Sequence, residues 1–196
     1  MKKVIITCLA LIIFIGCSNQ QQFNNQREKL PLESFIDTFL TNNPNWGQND
    51  IILKETNEKF RKELTEELKN NLLDNLPLKV GRIDQYKDNQ YAVLLSYRGF
   101  DYKRENLPYT NVLKNTDFDV VSLVNDSVMR TLEKDKQYII KGAFKEFLNN
   151  KYAFNKYIEG WRYSDDTELK KNEYNMTPSI TICSMLYEIS DIKPYN

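Results

Sequence analysis

The sequence predicts an α+β fold, in which two N-terminal helices precede a small five-stranded β-barrel. Apolar residues recur at helical spacing up to residue 76, and from residue 78 onward they follow the pattern of strands. Pro77 stands between the two patterns, where a proline ends a helix. About 180 residues follow the N-terminal apolar segment, which is enough for one domain of ordinary size with a helical extension.

The chain opens with two lysines, an apolar run over residues 4–15 and then Gly16-Cys17. Spanning a bilayer takes about 20 apolar residues, so this shorter run predicts a signal peptide and export. Its Gly16-Cys17 end resembles the lipobox of bacterial lipoproteins, with Phe14 where that family usually has leucine. The resemblance implies that residues 1–16 are removed and that Cys17 is acylated. Two or three acyl chains anchor a protein stably, because each buried methylene contributes roughly 0.8 kcal/mol.

Residues 17–30 are polar and have few core-forming side chains, which predicts a flexible tether. In some bacterial groups, acidic residues after the lipidated cysteine resemble an export tag for the outer face of the cell. Ser18, Asn19 and Gln20 are neutral here. We therefore expect a bacterial membrane lipoprotein at the outer membrane that faces the periplasm, with surface display as the alternative.

Two amphipathic segments make up the predicted helical extension, residues 31–76. Pro31 suits a first helical turn, and apolar residues recur after it on one helix face as far as Leu40. A second pattern covers residues 56–76, with leucines on one side and glutamate and lysine on the other. The two apolar faces need a partner, so we expect them to pack on each other and on the following domain.

A strand pattern dominates residues 77–192, the predicted barrel domain. We expect strands at residues 78–87, 90–99, 118–125, 136–147 and 178–189. Asp88-Asn89 predicts a tight turn between the first two strands. After the third strand, Asn125 is a candidate helix cap, and the apolar residues that follow it predict one or two helical turns. The last strand is apolar on both faces, which predicts a central or covered position.

Five strands with a short helix between the third and fourth is the order of an OB-fold barrel, so an OB-like barrel is predicted. Three segments also resemble the tRNA-anticodon-binding-like OB family: Val120 to Leu123, Leu132 to Asp135 and Tyr138 to Gly142. That family often has glycine where this chain has Lys134-Asp135. Because one fold serves many functions, the resemblance does not imply tRNA binding.

The chain has no histidine, which excludes histidine-dependent serine and cysteine triads and His-based zinc sites. Cys8 leaves with the signal peptide and Cys17 is expected to be acylated. Cys183 then stands alone in a strand pattern, as a small buried hydrophobe. Removal of Lys2 and Lys3 reduces 27 basic residues to 25, against 27 acidic ones. The near-neutral charge disfavours nucleic acid as a partner.

The binding candidates are aromatic and cationic side chains in two long connections, residues 98–117 and 148–176. OB barrels bind extended ligands across strands two and three and at nearby loops. Rings and cations of this kind stack on sugars, bases or prolines, or anchor a protein. The candidates are Arg98, Phe100, Tyr102, Lys103, Arg104, Tyr109, Tyr157, Trp161 and Tyr163. The alternative is that the rings cover the barrel ends or the helical pair.

We therefore expect a lipid-anchored, non-enzymatic binding module of the cell envelope. Its partners would be the membrane, through Cys17, and an envelope protein or an oligosaccharide. Neither a cofactor nor a metal is expected, because the glycines are isolated and the acidic run at Asp165-Asp166 lacks the spacing of a calcium loop. Two alternatives are an inhibitor or immunity protein against an envelope-acting toxin or hydrolase, and a carboxylate-dependent hydrolase of envelope glycans or peptides.

Overall fold

The computed structural model describes residues 28–100, 112–171 and 178–195. The predicted signal peptide, Cys17 and the tether up to residue 27 lie outside the described residues. Four binding candidates also lie outside them, namely Tyr102, Lys103, Arg104 and Tyr109. No helix in the described ranges is long and apolar enough to cross a membrane. The fold is α+β with a closed five-stranded barrel, as predicted, and it has two further strands.

Two N-terminal helices are present, α1 (Pro31–Asn42) and α2 (Asp50–Glu67). Pro31 starts α1, and the Glu33 side chain accepts a hydrogen bond from the backbone N–H of Leu30 at 3.2 Å. The side chain of Asn49 caps α2 by accepting from the N–H of Ile52 at 2.9 Å. Their apolar faces pack together, with the Phe39 and Phe60 ring centroids 4.9 Å apart in an edge-on arrangement.

The predicted bounds of the second helix, residues 56–76, are wrong at both ends. The helix begins six residues earlier, at the cap that Asn49 provides, and a 3₁₀ turn (Leu68–Asn70) follows it. Asn71 then has a φ of 59°, a left-handed conformation that ends helices. Leu72, Leu73 and Leu76 are buried after this break. Their spacing continued the helical pattern, although the backbone there is a turn.

Five strands form the barrel, namely β1 (Pro77–Lys87), β2 (Gln90–Arg98), β3 (Thr116–Asn125), β4 (Gln137–Phe147) and β7 (Met185–Pro194). The barrel closes in the order β1, β2, β3, β7, β4 and back to β1. All of these contacts are antiparallel except the parallel pair of β3 and β7. The first four strands lie within two residues of their predicted bounds. A closed five-stranded barrel is consistent with the OB-fold prediction.

A short hairpin, β5 (Glu168–Lys171) and β6 (Pro178–Thr181), is inserted before the last barrel strand. The single strand predicted at residues 178–189 is therefore wrong. The chain leaves the sheet at residues 182–184, where Ser184 N–H donates to the Ser164 carbonyl at 2.9 Å. The outer edge of β5 is covered by α2, because the Asn57 side chain bonds both the N–H and the carbonyl of Leu169.

Two short helices complete the described elements. The predicted helix between the third and fourth strands is α3 (Asp126–Met129), and its cap is Asn125, whose side chain accepts from the N–H of Val128 at 3.0 Å. A second one, α4 (Lys151–Asn155), begins the segment after β4. It ends after five residues, because a turn follows at Lys156.

The main core is continuous between the helical pair and the barrel interior. It joins Phe60 and Leu64 of α2 to Val93, Leu95 and Val120 of the barrel, all of them fully buried. A separate, smaller cluster lies on the outside of the barrel, over β2 and β3. This second cluster determines which part of the outer β2–β3 face is open to a ligand.

Candidate functional site

One half of the outer β2–β3 face is apolar and covered by the chain itself. Ala92 and Leu94 of β2 and Val121 of β3 alternate with residues that face the barrel interior. Residues 148–163, which we call the cover segment, pack on this face. Its side chains Leu148, Phe154 and Ile158 are buried to 1%, 0% and 0% exposure. OB barrels use this face for ligands, and in this chain only its other half is open.

The three aromatic candidates of the cover segment are half-buried packing residues. Tyr157 lies against Tyr86 of β1, with ring centroids 5.4 Å apart. Trp161 lies over Gly81, where a methyl group would be 3.6 Å from the indole. Tyr163 stacks on Phe154 at 5.6 Å. The rings cover the outer barrel wall, whereas the alternative from the sequence placed them over the barrel ends or the helical pair, and only part of each ring faces solvent.

The other half of the face is polar and holds Arg98 in one position. The Arg98 guanidinium donates to the carbonyls of Tyr97 and Phe118, at 2.9 and 2.7 Å, and to the Asp119 carboxylate at 2.6 Å. Ser96 donates to the same carboxylate oxygen at 2.6 Å. The Asp119 side chain is 4% exposed and that of Arg98 is 35% exposed. The guanidinium is therefore fixed before any ligand arrives.

Arg98 lies in an open cleft of about 410 Å³. The end of the cover segment and the inserted hairpin form its other walls. The lining side chains with charge are Arg98, Arg162, Lys170, Asp117, Asp119, Asp165, Asp166 and Glu168, and Tyr163 and Phe118 also line it. The volume falls in the range of small-molecule sites. Of the predicted candidates, the structure brings Arg98 and Tyr163 together here.

The remaining described candidate, Phe100, is 61% exposed and does not line this cleft. It directly precedes the segment at residues 101–111, which lies outside the described residues. Tyr157 and Trp161 also lie away from the cleft lining, on the covered half of the face. The structure thus separates the described candidates into cleft residues, packing residues and one exposed ring.

Sequence reasoning did not select Asp119, which fixes Arg98. The sequence does contain a sign of its role, because Asp119 is a charged residue in a part of β3 that is otherwise almost entirely apolar and buried. A buried carboxylate needs a partner, and Arg98 on the neighbouring strand supplies it. The sequence could not identify that partner, since 21 residues separate the two positions along the chain.

Two carboxylates of the cleft, Asp166 and Glu168, are engaged in ion pairs. Asp166 bonds Arg61 of α2 at 2.9 Å, and Glu168 bonds Lys170 at 2.6 Å. No group of three or more potential metal ligands is found among the described residues. Close by, burial raises the pKa of the Cys183 thiol to about 12, with Asp166 and Asp165 adding to the shift. Such a thiol stays protonated and is a poor nucleophile.

Comparison with known proteins gives no relative. No family model, curated protein or solved structure matches this chain.

Proposed function

We propose that this chain is a lipid-anchored, non-enzymatic binding module of the bacterial cell envelope, built on an OB-like barrel. The strand order β1, β2, β3, β7, β4, with α3 between β3 and β4, supports the OB-like assignment. In this interpretation β7 takes the place of the fifth OB strand, and the β5–β6 hairpin is an insertion before it. The export signal and Gly16-Cys17 support the location and the anchor.

The observation that carries the binding proposal is the fixed Arg98 in the open half of the outer β2–β3 face. A side chain that is already ordered loses little conformational entropy when a ligand binds. Arg162 adds an exposed guanidinium on the opposite wall of the cleft, and Tyr163 adds a ring with a hydroxyl group. Cations, carboxylates and a phenol in one cleft fit a ligand with many hydrogen-bonding groups, as in an oligosaccharide or a polar protein segment.

Nucleic acid fits this cleft poorly. Five carboxylates and three cationic side chains line it, and the mature chain has two more acidic than basic residues. Binding of a nucleic acid backbone depends on a cationic surface. The cover segment also occupies the apolar half of the face, where bases would stack.

The proposal predicts that a photo-crosslinker in the cleft captures a partner in living cells. We would place p-benzoylphenylalanine at Arg162 of the full lipidated chain, with Lys151, an exposed position of the cover segment outside the cleft, as the control. We expect one dominant protein or glycan adduct from position 162 and none from position 151. Soluble peptidoglycan fragments would then be titrated onto the Cys17→Ala chain to test the glycan class.

The cleft variant Arg98→Met should weaken that interaction at least about tenfold, because it removes the fixed charge and keeps an unbranched side chain. The matched control is Lys151→Met. Identical adducts from positions 162 and 151, together with no saturable binding of peptidoglycan fragments, would exclude the cleft as the binding site.

Acylation of Cys17 makes a separate prediction. Cells that express the full chain and are fed labelled palmitate should incorporate the label into the protein, and the Cys17→Ala chain should carry none. The labelled wild-type protein should be found in the membrane fraction after lysis, since two or three acyl chains supply the anchoring energy. Label on the Cys17→Ala chain would contradict the assignment.

A carboxylate-dependent hydrolase is the second candidate, and the gathering of five carboxylates in one cleft favours it. Glycoside hydrolysis needs two carboxylates placed on opposite sides of the scissile bond. Asp165 is exposed and has no ion-pair partner within the described residues. Release of products from peptidoglycan that stops in Asp165→Asn, with the fold intact, would favour this candidate over the binding module.

A further inference from the structure

A second open region lies at the opposite end of the β3 strand, where the barrel wall is incomplete. Strands β3 and β7 pair only at Val120–Met185 and Val121–Leu186. Beyond these two pairs, residues 122–125 of β3 and the rest of β7 have no strand partner on their facing edges within the described part of the chain. We call the space between these two edges the seam.

A β-bulge at Ser190 accompanies the separation of the two strands. Asp191 is paired with Lys141 of β4 and Ile189 with Gly142, so Ser190 is an extra residue in β7. Bulges bend a strand and increase its twist. The bulge is tight, because the backbone of Gly142 approaches the Glu188 carbonyl so closely that a side chain at this position would overlap it. The shape of the seam therefore depends on the backbone conformation of β4 and β7, and not on side-chain positions alone.

The seam forms an open cleft of about 440 Å³. Residues 123–125 of β3 form one side and residues 189–192 of β7 form the other, while Ser127, Val128 and Thr131 in and after α3 line the end. Val124, Val128, Ile189 and Ile192 give the seam an apolar floor, and they pack against the main core. The rims carry backbone edges together with short polar side chains.

We propose that the seam binds an extended peptide segment of a partner protein, which adds as a strand to these edges. Unpaired strand edges present rows of N–H and carbonyl groups that a peptide backbone complements. Residues 123–125 of β3, which line the open cleft, span about 10 Å, enough to pair with roughly three residues of a strand. The apolar floor would take alternate side chains of that strand. This site is separate from the Arg98 cleft and does not depend on the function proposed for it.

The probe is an octapeptide of alternating valine and threonine with a lysine at each end. The seam would bind it mainly through hydrogen bonds to the peptide backbone. It is titrated onto the Cys17→Ala full chain and followed by NMR. We expect a Kd below about 1 mM and shifts of the amide signals of residues 122–125 and 187–192. The same peptide with N-methyl groups on every backbone nitrogen cannot donate to an edge, so its binding should be lost.

Two exposed positions that line the seam allow a test with protein variants. Ser127→Arg and Thr131→Arg place long side chains across the end of the seam, and each should weaken peptide binding at least about tenfold. Glu133→Arg, which adds the same side chain at an exposed position outside the seam, should bind normally. Absence of binding at about 1 mM peptide, or equal affinity for the N-methylated peptide, would overturn the proposal. Concentration-dependent dimerisation through the same residues would show a second copy as the occupant and would also overturn it.

Discussion

Truncation of Phe154 to alanine is expected to lower the free energy of unfolding by about 3–5 kcal/mol. The ring is completely buried between the cover segment and the outer β2–β3 face, and it stacks on Tyr163. Alanine would leave a cavity next to Leu94 and Val121 that a short helix such as α4 has few ways to close. Urea denaturation of the Cys17→Ala chain, followed by tryptophan fluorescence, measures the loss.

The matched control for this prediction is Tyr152→Ala in the same short helix. The Tyr152 ring is 89% exposed, so its removal should change the unfolding free energy by no more than about 0.5 kcal/mol. A loss in Phe154→Ala as small as that of the control would mean that the cover segment is not packed as described. In that case the apolar half of the β2–β3 face would again be available to a ligand.

The sequence predicts the barrel strands correctly where one face of the strand is buried. It also predicts a turn correctly where the turn depends only on neighbouring residues. Residues 78–87 and 90–99 were predicted as strands joined at Asp88-Asn89, and the structure has β1 and β2 there with Asn89 at a φ of 57°. A left-handed asparagine in a two-residue turn is a local signal. The cap of α3 at Asn125 was equally local, and it too was read correctly from the sequence.

The errors arose where long-range contacts decide the backbone path. Residues 182–184 continue an apolar alternation, yet they leave the sheet. Cys183 and Ser184 bond instead to residues 164–167, for example Cys183 N–H to the Thr167 hydroxyl at 3.0 Å. The inserted β5 has only four residues, and its edge is satisfied by Asn57 of α2, 112 positions away. A pattern within a short stretch of sequence cannot reveal hydrogen bonds between residues so far apart along the chain.

The residues of the candidate site were likewise predicted only in part. Arg98 was predicted as a cationic residue of the long connection at residues 98–117, and it lies in the open cleft. Tyr163 was predicted too and lines the same cleft, but the carboxylates of the cleft were not predicted, because they meet only when the cover segment and the inserted hairpin pack beside β3. Aromatic residues in the long connections predicted a binding site. Three of these rings, Tyr157, Trp161 and Tyr163, pack against the outer barrel wall.

Substitution of Gly142 by alanine is expected to cost about 3 kcal/mol of unfolding free energy, at the upper end for an overpacked site. A methyl group at Gly142 would overlap the Glu188 carbonyl oxygen and lie 2.9 Å from a ring carbon of Tyr187. Backbone atoms have little freedom to move inside a paired sheet, so β4 and β7 would have to separate locally. Thermal unfolding of the Cys17→Ala chain should show a correspondingly lower Tm.

Gly81→Ala is the matched control, because Gly81 also lies at a register shift, between β1 and β2. A methyl group there would lie 3.6 Å from Leu94, Ser96 and Trp161, which is an ordinary packing distance. Its cost should stay within about 1 kcal/mol. Equal stability of Gly142→Ala and Gly81→Ala would show that β4 and β7 do not approach each other as described. The bulge at Ser190 would then lose its structural basis, and with it the explanation for the open seam between β3 and β7.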